Sequence, residues 1–325
     1  MASADSGLGR RRIDLSRRRS HIGDRLFEVG PAVAGSVVLV IILGLFYELT
    51  TRALPSIQAF GLSFIWTSRW DPARGVFGAG PFVLGTLITA IPAVLIASTI
   101  GILVAVYLVE VASERVSRPI SYAVELLAAI PSVVYGLWGI FVLGTFIHLY
   151  LGPAIVSTLG WIPFFNGTPL ITGLLSAIMV LSIMILPTIM AVSRDVIQAV
   201  PLSQREGILA LGATRWEMIR LVVIPYARSG ILGAAILGLA RAVGETLAVT
   251  LVIGNRVGFP ETIFSPTYTM ASVIANQFAE VENDLHRSAL LEVGLLLLVV
   301  TFLINVGARL LVWRVTRGNR VAVNQ

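Results

Sequence analysis

The stretch "ILGLARAVGETLAV", residues 236–249, places Arg241 and Glu245 inside a long apolar run. A guanidinium is always charged and presents a planar fork of donors that matches the oxygens of a carboxylate or a phosphate. A carboxylate four residues further on shares its face if the run is helical. Two chemistries are open to such a pair. In the first, the charges neutralise each other, which lets the helix enter lipid and pack in a bundle. In the second, Arg241 touches the path of an oxyanion, while Glu245 holds the guanidinium at rest and repels the anion afterwards. A conduction site must release as well as bind, so a competing carboxylate suits this second role. Covalent chemistry has little to build on. No G-x-S-x-G elbow occurs. His21, His148 and His286 are far apart, without metal-ligand spacing, and read as loop or interface residues. The absence of cysteine excludes disulfides, thiolate metal sites and thiol nucleophiles.

The elements that must position these residues are membrane spans. Of the 325 residues, 56% are hydrophobic and 13% charged, against about 25% charged in soluble domains. All 24 basic residues are Arg. Without Lys the chain cannot form a standard phosphate-binding loop of an ATPase, so any use of ATP falls to a partner. Apolar windows of about 20 residues fall at roughly 31–50, 82–109, 127–150, 170–192, 229–254 and 289–313. The expected fold is an all-α membrane protein with six transmembrane helices and no separate soluble domain. The N-terminus is dense in Arg like a signal peptide, but the long apolar run after it lacks a small-residue cleavage site, so an uncleaved first span is expected. Eighteen Arg fall in segments on one side of the spans and five on the other. The positive-inside rule then puts both termini in the cytoplasm of a multi-pass inner-membrane protein. The expected organisation is an Arg-rich N-terminal segment over 1–30, a transmembrane domain over 31–315, and a tail over 316–325.

Within the fifth window, Arg241 lies about 12 residues in, roughly 18 Å along a helix and so near the midplane of a bilayer. An Arg there costs about 2.5–3.5 kcal/mol on insertion scales. This window carries the one deep Glu expected, with no deep Asp, which counts against proton-coupled transport. Its Gly230, Gly233, Gly238 and Gly244 suit close helix packing, within the subunit or against a second one. Pro92, Pro131 and Pro187 also fall in spans, where they kink helices or free backbone groups toward a cavity. In "IPSVVYG", the group Pro131, Ser132 and Tyr135 stands either beside a translocation path or at a packing kink.

The loop over about 198–226 reads "VPLSQREGILALGATRWEMIRLVVIP" at residues 200–225. Ser203 with Glu206 and Thr214 with Glu217 both fit a capping box. Gly212 between them suits a left-handed helix end, and Pro225 is expected to limit the second helix. The first short helix shows Ile208, Leu209 and Leu211 among polar neighbours. Such a corner is either an ordinary structured loop or a knob laid in a groove of a cytoplasmic partner.

Glu206-Gly207-Ile208, then Gly212, then Val222-Val223-Ile224-Pro225 resembles the "EAA" loop of bacterial ABC importer permeases, E-A-A-x3-G-x9-I-x-L-P. Glu, Gly and Pro keep their spacing; the two Ala positions do not match. The stretches "ELLAAIPSVVYGLWGIFVLG", "SRWDPARGVFGAGPFVLGTL", "ARAVGETLAVTLVIGN" and "TMASVIANQFAE" are similar to the PstC-type permease of the phosphate-specific ABC importer, over roughly residues 30–315. The resemblance implies a type I, MetI-like permease fold. It implies a non-catalytic subunit of an ATP-driven phosphate importer, with no cofactor bound by this chain. It implies a PstA-like second permease, a PstB-like ATPase dimer that hydrolyses the ATP, and a PstS-like phosphate-binding protein. It makes the 198–226 loop the coupling helix that docks on the ATPase, and it marks the Arg and Glu of the 241–245 motif as important for transport. Sulfate or molybdate import by a related permease, and ion-coupled secondary anion transport, remain the alternatives.

Overall fold

The computed structural model describes residues 21–320, which divide into two compact units, Met1–Glu48 and Leu49–Gln325. Most of the expected Arg-rich segment, residues 1–20, and the end of the expected tail, residues 321–325, lie outside the described residues. Helix α1 is His21–Phe60. It accounts for all that is described of the first unit.

The second unit is helical almost throughout. Its long helices are α2 (Gly80–Val106), which widens into a π-helical end at Tyr107–Val111, and α6 (Leu174–Gln198). Between them lie α3 (Glu114–Ala128), α4 (Ser132–Trp138), a π-helical stretch and α5 (Gly152–Leu159). After α6 come two short helices, α7 (Leu202–Ala210) and α8 (Arg215–Met218). A π-turn at Ile219–Val223 joins α8 to α9 (Ile224–Val243). The chain closes with α10 (Leu247–Val252), α11 (Met270–Gln277) and α12 (Asp284–Arg320). Strand pairing among the described residues is limited to the isolated bridges Asp71–Val76 and Gly254–Thr267.

Among the described residues, six helical runs are long and apolar enough to cross a membrane: Val29–Ile65, Gly80–Val111, Ser132–Leu159, Leu174–Gln198, Arg215–Val243 and Asp284–Arg314. Lipid offers no water to unpaired backbone groups, so the helical form is dictated. Buried hydroxyls in the spans return their protons to the preceding turn, as Ser182 does to the Ile178 carbonyl at 2.7 Å and Thr89 to Gly85 at 2.7 Å.

The fifth span departs from the sequence expectation at both ends. Pro225 does not limit a helix; the run continues through it from Arg215 to Val243. The π-turn just before Pro225 re-seats the carbonyls that its missing N–H would leave behind. At the other end the helix stops at Val243 and resumes as α10 only at Leu247. The span expected to be continuous to 254 is therefore broken at residues 244–246.

Helix α6 is the centre of the unit, packed between α2, α9, α3 and α10. A Cβ on Gly230 would strike Val196, and one on Gly238 would strike Ile189, both on α6. These two glycines thus serve packing within the subunit, whereas Gly233 faces open space. A second, aromatic core gathers Phe64, Trp70, Phe77 and Phe82 with Tyr268. His286, expected in a loop or interface, is instead 2% exposed and stacked on Phe77 at 5.3 Å. It falls in the first turn of α12, where the ring covers the aromatic cluster. His148 meets the Pro169 carbonyl at 2.7 Å through Nδ1.

Candidate functional site

Arg241 sits in the last turn of α9, where a cation is favoured by the unpaired carbonyls of the helix end. Its Nη1 donates to Thr188 Oγ1 on α6 at 3.1 Å. Glu245 lies beyond the helix end. Its Oε1 accepts from the Ala248 backbone N–H at 3.2 Å, so the carboxylate serves the start of α10. No ion pair joins Arg241 to Glu245. The expectation that both occupy one helical face fails because Gly244 ends α9 between them. Neither chemistry proposed for the pair is thereby decided, but the partner of the guanidinium in this conformation is a neutral hydroxyl.

A second helix break precedes the third span, which begins at Ser132. α3 ends at Ala128 and α4 begins at Ser132, with Pro131 as its extended cap residue. Tyr135 closes this gap from the far side, its hydroxyl donating to the Leu127 carbonyl at 2.9 Å. The same carbonyl also accepts from the Ile130 N–H at 3.2 Å, so the Tyr135 bond adds a tie between α4 and the end of α3. Tyr135 is 7% exposed, and the Arg241 charge acts on its phenol. Pro131 is exposed and Ser132 half-buried. α4 and α10, the short helices after the two breaks, pack on each other. A Cβ on Gly136 would lie 3.1 Å from Ala248 Cα and 2.6 Å from Leu251 Cδ1, so a larger residue requires Leu251 to swing away and the Ala248 backbone to yield. The sequence motifs around 131–136 and 241–248 thus meet in one place. Broken membrane helices of this kind bring unpaired backbone and charge to a single depth. Irregular backbone survives there only when buried in protein or lining a wet cavity. Gly244 is exposed and Glu245 and Thr246 are half-buried, so the break borders open space rather than closed core.

The family model for the "binding-protein-dependent transport system inner membrane component" matches residues 97–317. The PstC phosphate transport system permease protein of Mesorhizobium japonicum is 42% identical over 306 residues, covering 93% of this chain and 94% of that protein. This chain is a PstC-type member of that permease family. The PstC protein of Haemophilus influenzae is 42% identical, covering 89% of this chain and 93% of its own. The PstC 2 protein of Mycobacterium tuberculosis is 39% identical, covering 91% and 94%. Two solved transporters share the fold alone. The alginate ABC transporter in complex with its alginate-bound periplasmic protein has a TM-score of 0.59 at 15% identity, covering 90% of this chain and 96% of that one. The inward-facing MetNI methionine ABC transporter has a TM-score of 0.53 at 20% identity, covering 72% and 94%. The permease is a multi-pass inner-membrane protein with the MetI-like fold.

The corner formed by α7 and α8 of this permease matches the sequence reading in part. Gly212 has φ +87°, the left-handed turn expected of it. The Thr214–Glu217 capping box is complete: Glu217 N–H donates to Thr214 Oγ1 at 3.3 Å, and Glu217 Oε2 accepts from Thr214 N–H at 2.7 Å. The Ser203–Glu206 box does not form. α7 begins at Leu202 after Pro201, which puts Ser203 inside the first turn rather than at the cap. The apolar residues of α7 also divide. Ile208 turns inward onto the cluster containing Ile197, Met218 and Val223. Leu209 and Leu211 face outward, with Leu211 88% exposed, and Trp216 of α8 joins them.

Several charged and polar side chains carry more than the sequence reading allowed. Thr188, beside Pro187, is the partner of Arg241; a hydroxyl next to a mid-span proline was its only signal. Arg205 of α7 pairs with Glu110 at 2.9 Å. Arg194 of α6 pairs with Glu125 of α3 at 3.2 Å. Glu292 is a second deep carboxylate, 6% exposed inside the span of α12. The expectation of a single deep Glu therefore does not stand: Glu292 falls inside the apolar window 289–313 and is buried. Among the described residues, no group of three or more His, Cys, Asp or Glu could hold a metal ion.

Proposed function

We propose that this chain is one of two permease subunits of an ATP-driven importer of inorganic phosphate, and that it catalyses no covalent step. The phosphate reading comes from the PstC relatives, which carry that substrate in their name. The partners follow from the same resemblance: a PstA-like permease, a PstB-like ATPase dimer that binds and hydrolyses ATP, and a PstS-like binding protein outside. Both termini face the cytoplasm, a reading supported by the excess of Arg on that side of the spans. The exposed apolar face of Leu209, Leu211 and Trp216 is the surface that meets the ATPase.

One observation carries the assignment of the path. Arg241 stands beside a broken span, held by the neutral Thr188 and not by a carboxylate. Its positive charge is uncompensated in this conformation, and a phosphate oxygen can take it through the free edge of the fork. Glu245 is close in sequence and bound only to backbone, so a modest shift of the 244–246 break brings it to Arg241 and displaces the anion. The cycle is alternating access: phosphate enters from the binding protein, ATP binding shifts α7 and α8, and the site opens inward.

The test is uptake of labelled phosphate by cells lacking the native permease and carrying Arg241→Gln together with its ATPase. Loss of uptake with normal membrane levels supports the reading. Uptake at the wild-type rate, or preferential uptake of labelled sulfate by the wild type, overturns it.

A further inference from the structure

We infer that Arg205 is a positioning residue for coupling: its buried pair with Glu110 is the strut through which movement of α7 reaches the membrane bundle. The inference rests on the proposed role of this chain as an ATP-driven permease. Three elements meet at one guanidinium. Arg205 belongs to α7. Its Nη2 lies 2.9 Å from Glu110 Oε1 in the π-helical end of α2, and the same nitrogen donates to the Ile197 carbonyl in the last turn of α6 at 2.7 Å. The side chains of Arg205 and Glu110 are 13% and 6% exposed, so water neither screens the contact nor competes for it.

The opposite side of α7 is free. Leu202 is 67% exposed, and Ser203, Glu206 and Leu209 are exposed as well. A push delivered to that side must pass inward through Arg205 and Ile208. Ile208 offers only non-directional apolar contact with the cluster beneath it. Arg205 offers a charged link: its single nitrogen Nη2 is held against both the Glu110 carboxylate and the Ile197 carbonyl, so the ends of α2 and α6 meet at one atom of α7. The elements it grips are the right ones. α2 and α6 form the most extensive helix pair in the unit. Thr188, which holds Arg241, lies on α6 nine residues before Ile197, roughly 14 Å along the helix. A displacement of the α6 end therefore arrives at the candidate site through one rigid element.

The strut is also incompletely satisfied. One of the two Nη2 protons goes to the Ile197 carbonyl, the contact with Glu110 Oε1 is a charge contact without hydrogen-bond alignment, and Arg205 Nε is likewise buried without a hydrogen bond. Spare donors and acceptors at a junction allow a second arrangement, with Nε on Glu110, after a small slip of α7. A connection between two states of a transporter requires this property.

The experiment uses the complete transporter in proteoliposomes with its binding protein and phosphate. It records complex yield and phosphate moved per ATP hydrolysed. A buried pair that only holds the fold is replaceable by apolar residues of similar volume. The double variant R205M/E110M is therefore expected to assemble at the wild-type level while phosphate moved per ATP falls at least tenfold. R205K keeps the charge but ends one bond short of the Nη2 position, so it cannot reach Glu110 and the Ile197 carbonyl together, and is expected to lose at least threefold in the same ratio. Wild-type coupling in the double variant overturns the inference. Where the double variant does not assemble, R205K decides: unchanged coupling overturns the inference and the expected loss supports it. A wild-type complex without ATP-dependent phosphate uptake would instead refute the proposed function itself.

Discussion

Arg241 Nη1 donates to Thr188 Oγ1 at 3.1 Å, while the carboxylate of Glu245, four residues along the chain, turns to the Ala248 N–H. The hydroxyl holds the guanidinium without neutralising it. A hydrogen bond to a charged group contributes about 1.5–3 kcal/mol, and about 1.4 kcal/mol is a factor of ten. Thr188→Val keeps the shape and removes the acceptor. It is expected to lower phosphate uptake about tenfold at unchanged membrane levels, whereas Thr188→Ser retains uptake. Equal uptake by the Val variant and the wild type would show that Thr188 does not position Arg241.

Glu245 has two separable duties. As a cap it needs only an oxygen for the Ala248 N–H, which Gln also supplies. As an electrostatic competitor for Arg241 it needs its charge. Glu245→Gln is expected to assemble normally and to lower uptake at least tenfold. Glu245→Ala also removes the cap, and its loss in thermal stability is about 1 kcal/mol beyond that of Gln. Wild-type uptake by the Gln variant would reduce Glu245 to a cap.

Much of this arrangement was legible in the sequence, for definable reasons. The spans follow from apolar length alone, because lipid imposes one backbone solution. Gly212 and the Thr214–Glu217 box could be read because caps are local: the atoms that meet are three residues apart. The Ser203–Glu206 box has the same spacing and fails, because α7 starts at Leu202, two residues before the start that the box requires. The Arg241–Glu245 pairing failed for a related reason. Four-residue spacing implies a shared face only in an unbroken helix, and Gly244 ends this one. Thr188, Glu110 and Glu125 were beyond reach because their partners lie 53, 95 and 69 residues away in the chain. Periodicity carries no information about such contacts.

The division of α7 into two faces predicts two kinds of defect. Leu211 and Trp216 are 88% and 65% exposed, and neither holds the permease together. Leu211→Ser with Trp216→Ser is expected to leave the thermal stability of the permease unchanged, within about 0.5 kcal/mol. The same pair of changes lowers the amount of ATPase that co-purifies. Ile208→Ser acts oppositely. It places a hydroxyl against the Ile197 and Met218 cluster and destabilises the permease itself by about 1–3 kcal/mol, read as a lower unfolding temperature before any ATPase is added. Normal co-purification with the double serine variant would move the docking surface elsewhere.

The contact between α4 and α10 sets the tolerance of the candidate site to bulk. At Gly136 an added Cβ meets the Ala248 backbone at 3.1 Å as well as the Leu251 side chain. A leucine side chain can swing away, but Ala248 Cα is part of a helix whose first turn Glu245 caps. Gly136→Ala must therefore push α10 outward. Overpacking of this kind costs about 1–3 kcal/mol. The expected result is a lower unfolding temperature together with a fall in phosphate uptake larger than the stability loss explains, because α10 follows directly on the Arg241 break. Ala248→Gly shortens the opposing side chain but leaves its Cα in place, so it does not relieve the clash. Leu251→Ala removes the flexible half of the contact and is expected to recover part of the stability without recovering uptake. Full recovery of both by Leu251→Ala would show that the clash is with the side chain alone, and that the backbone position of α10 does not govern transport.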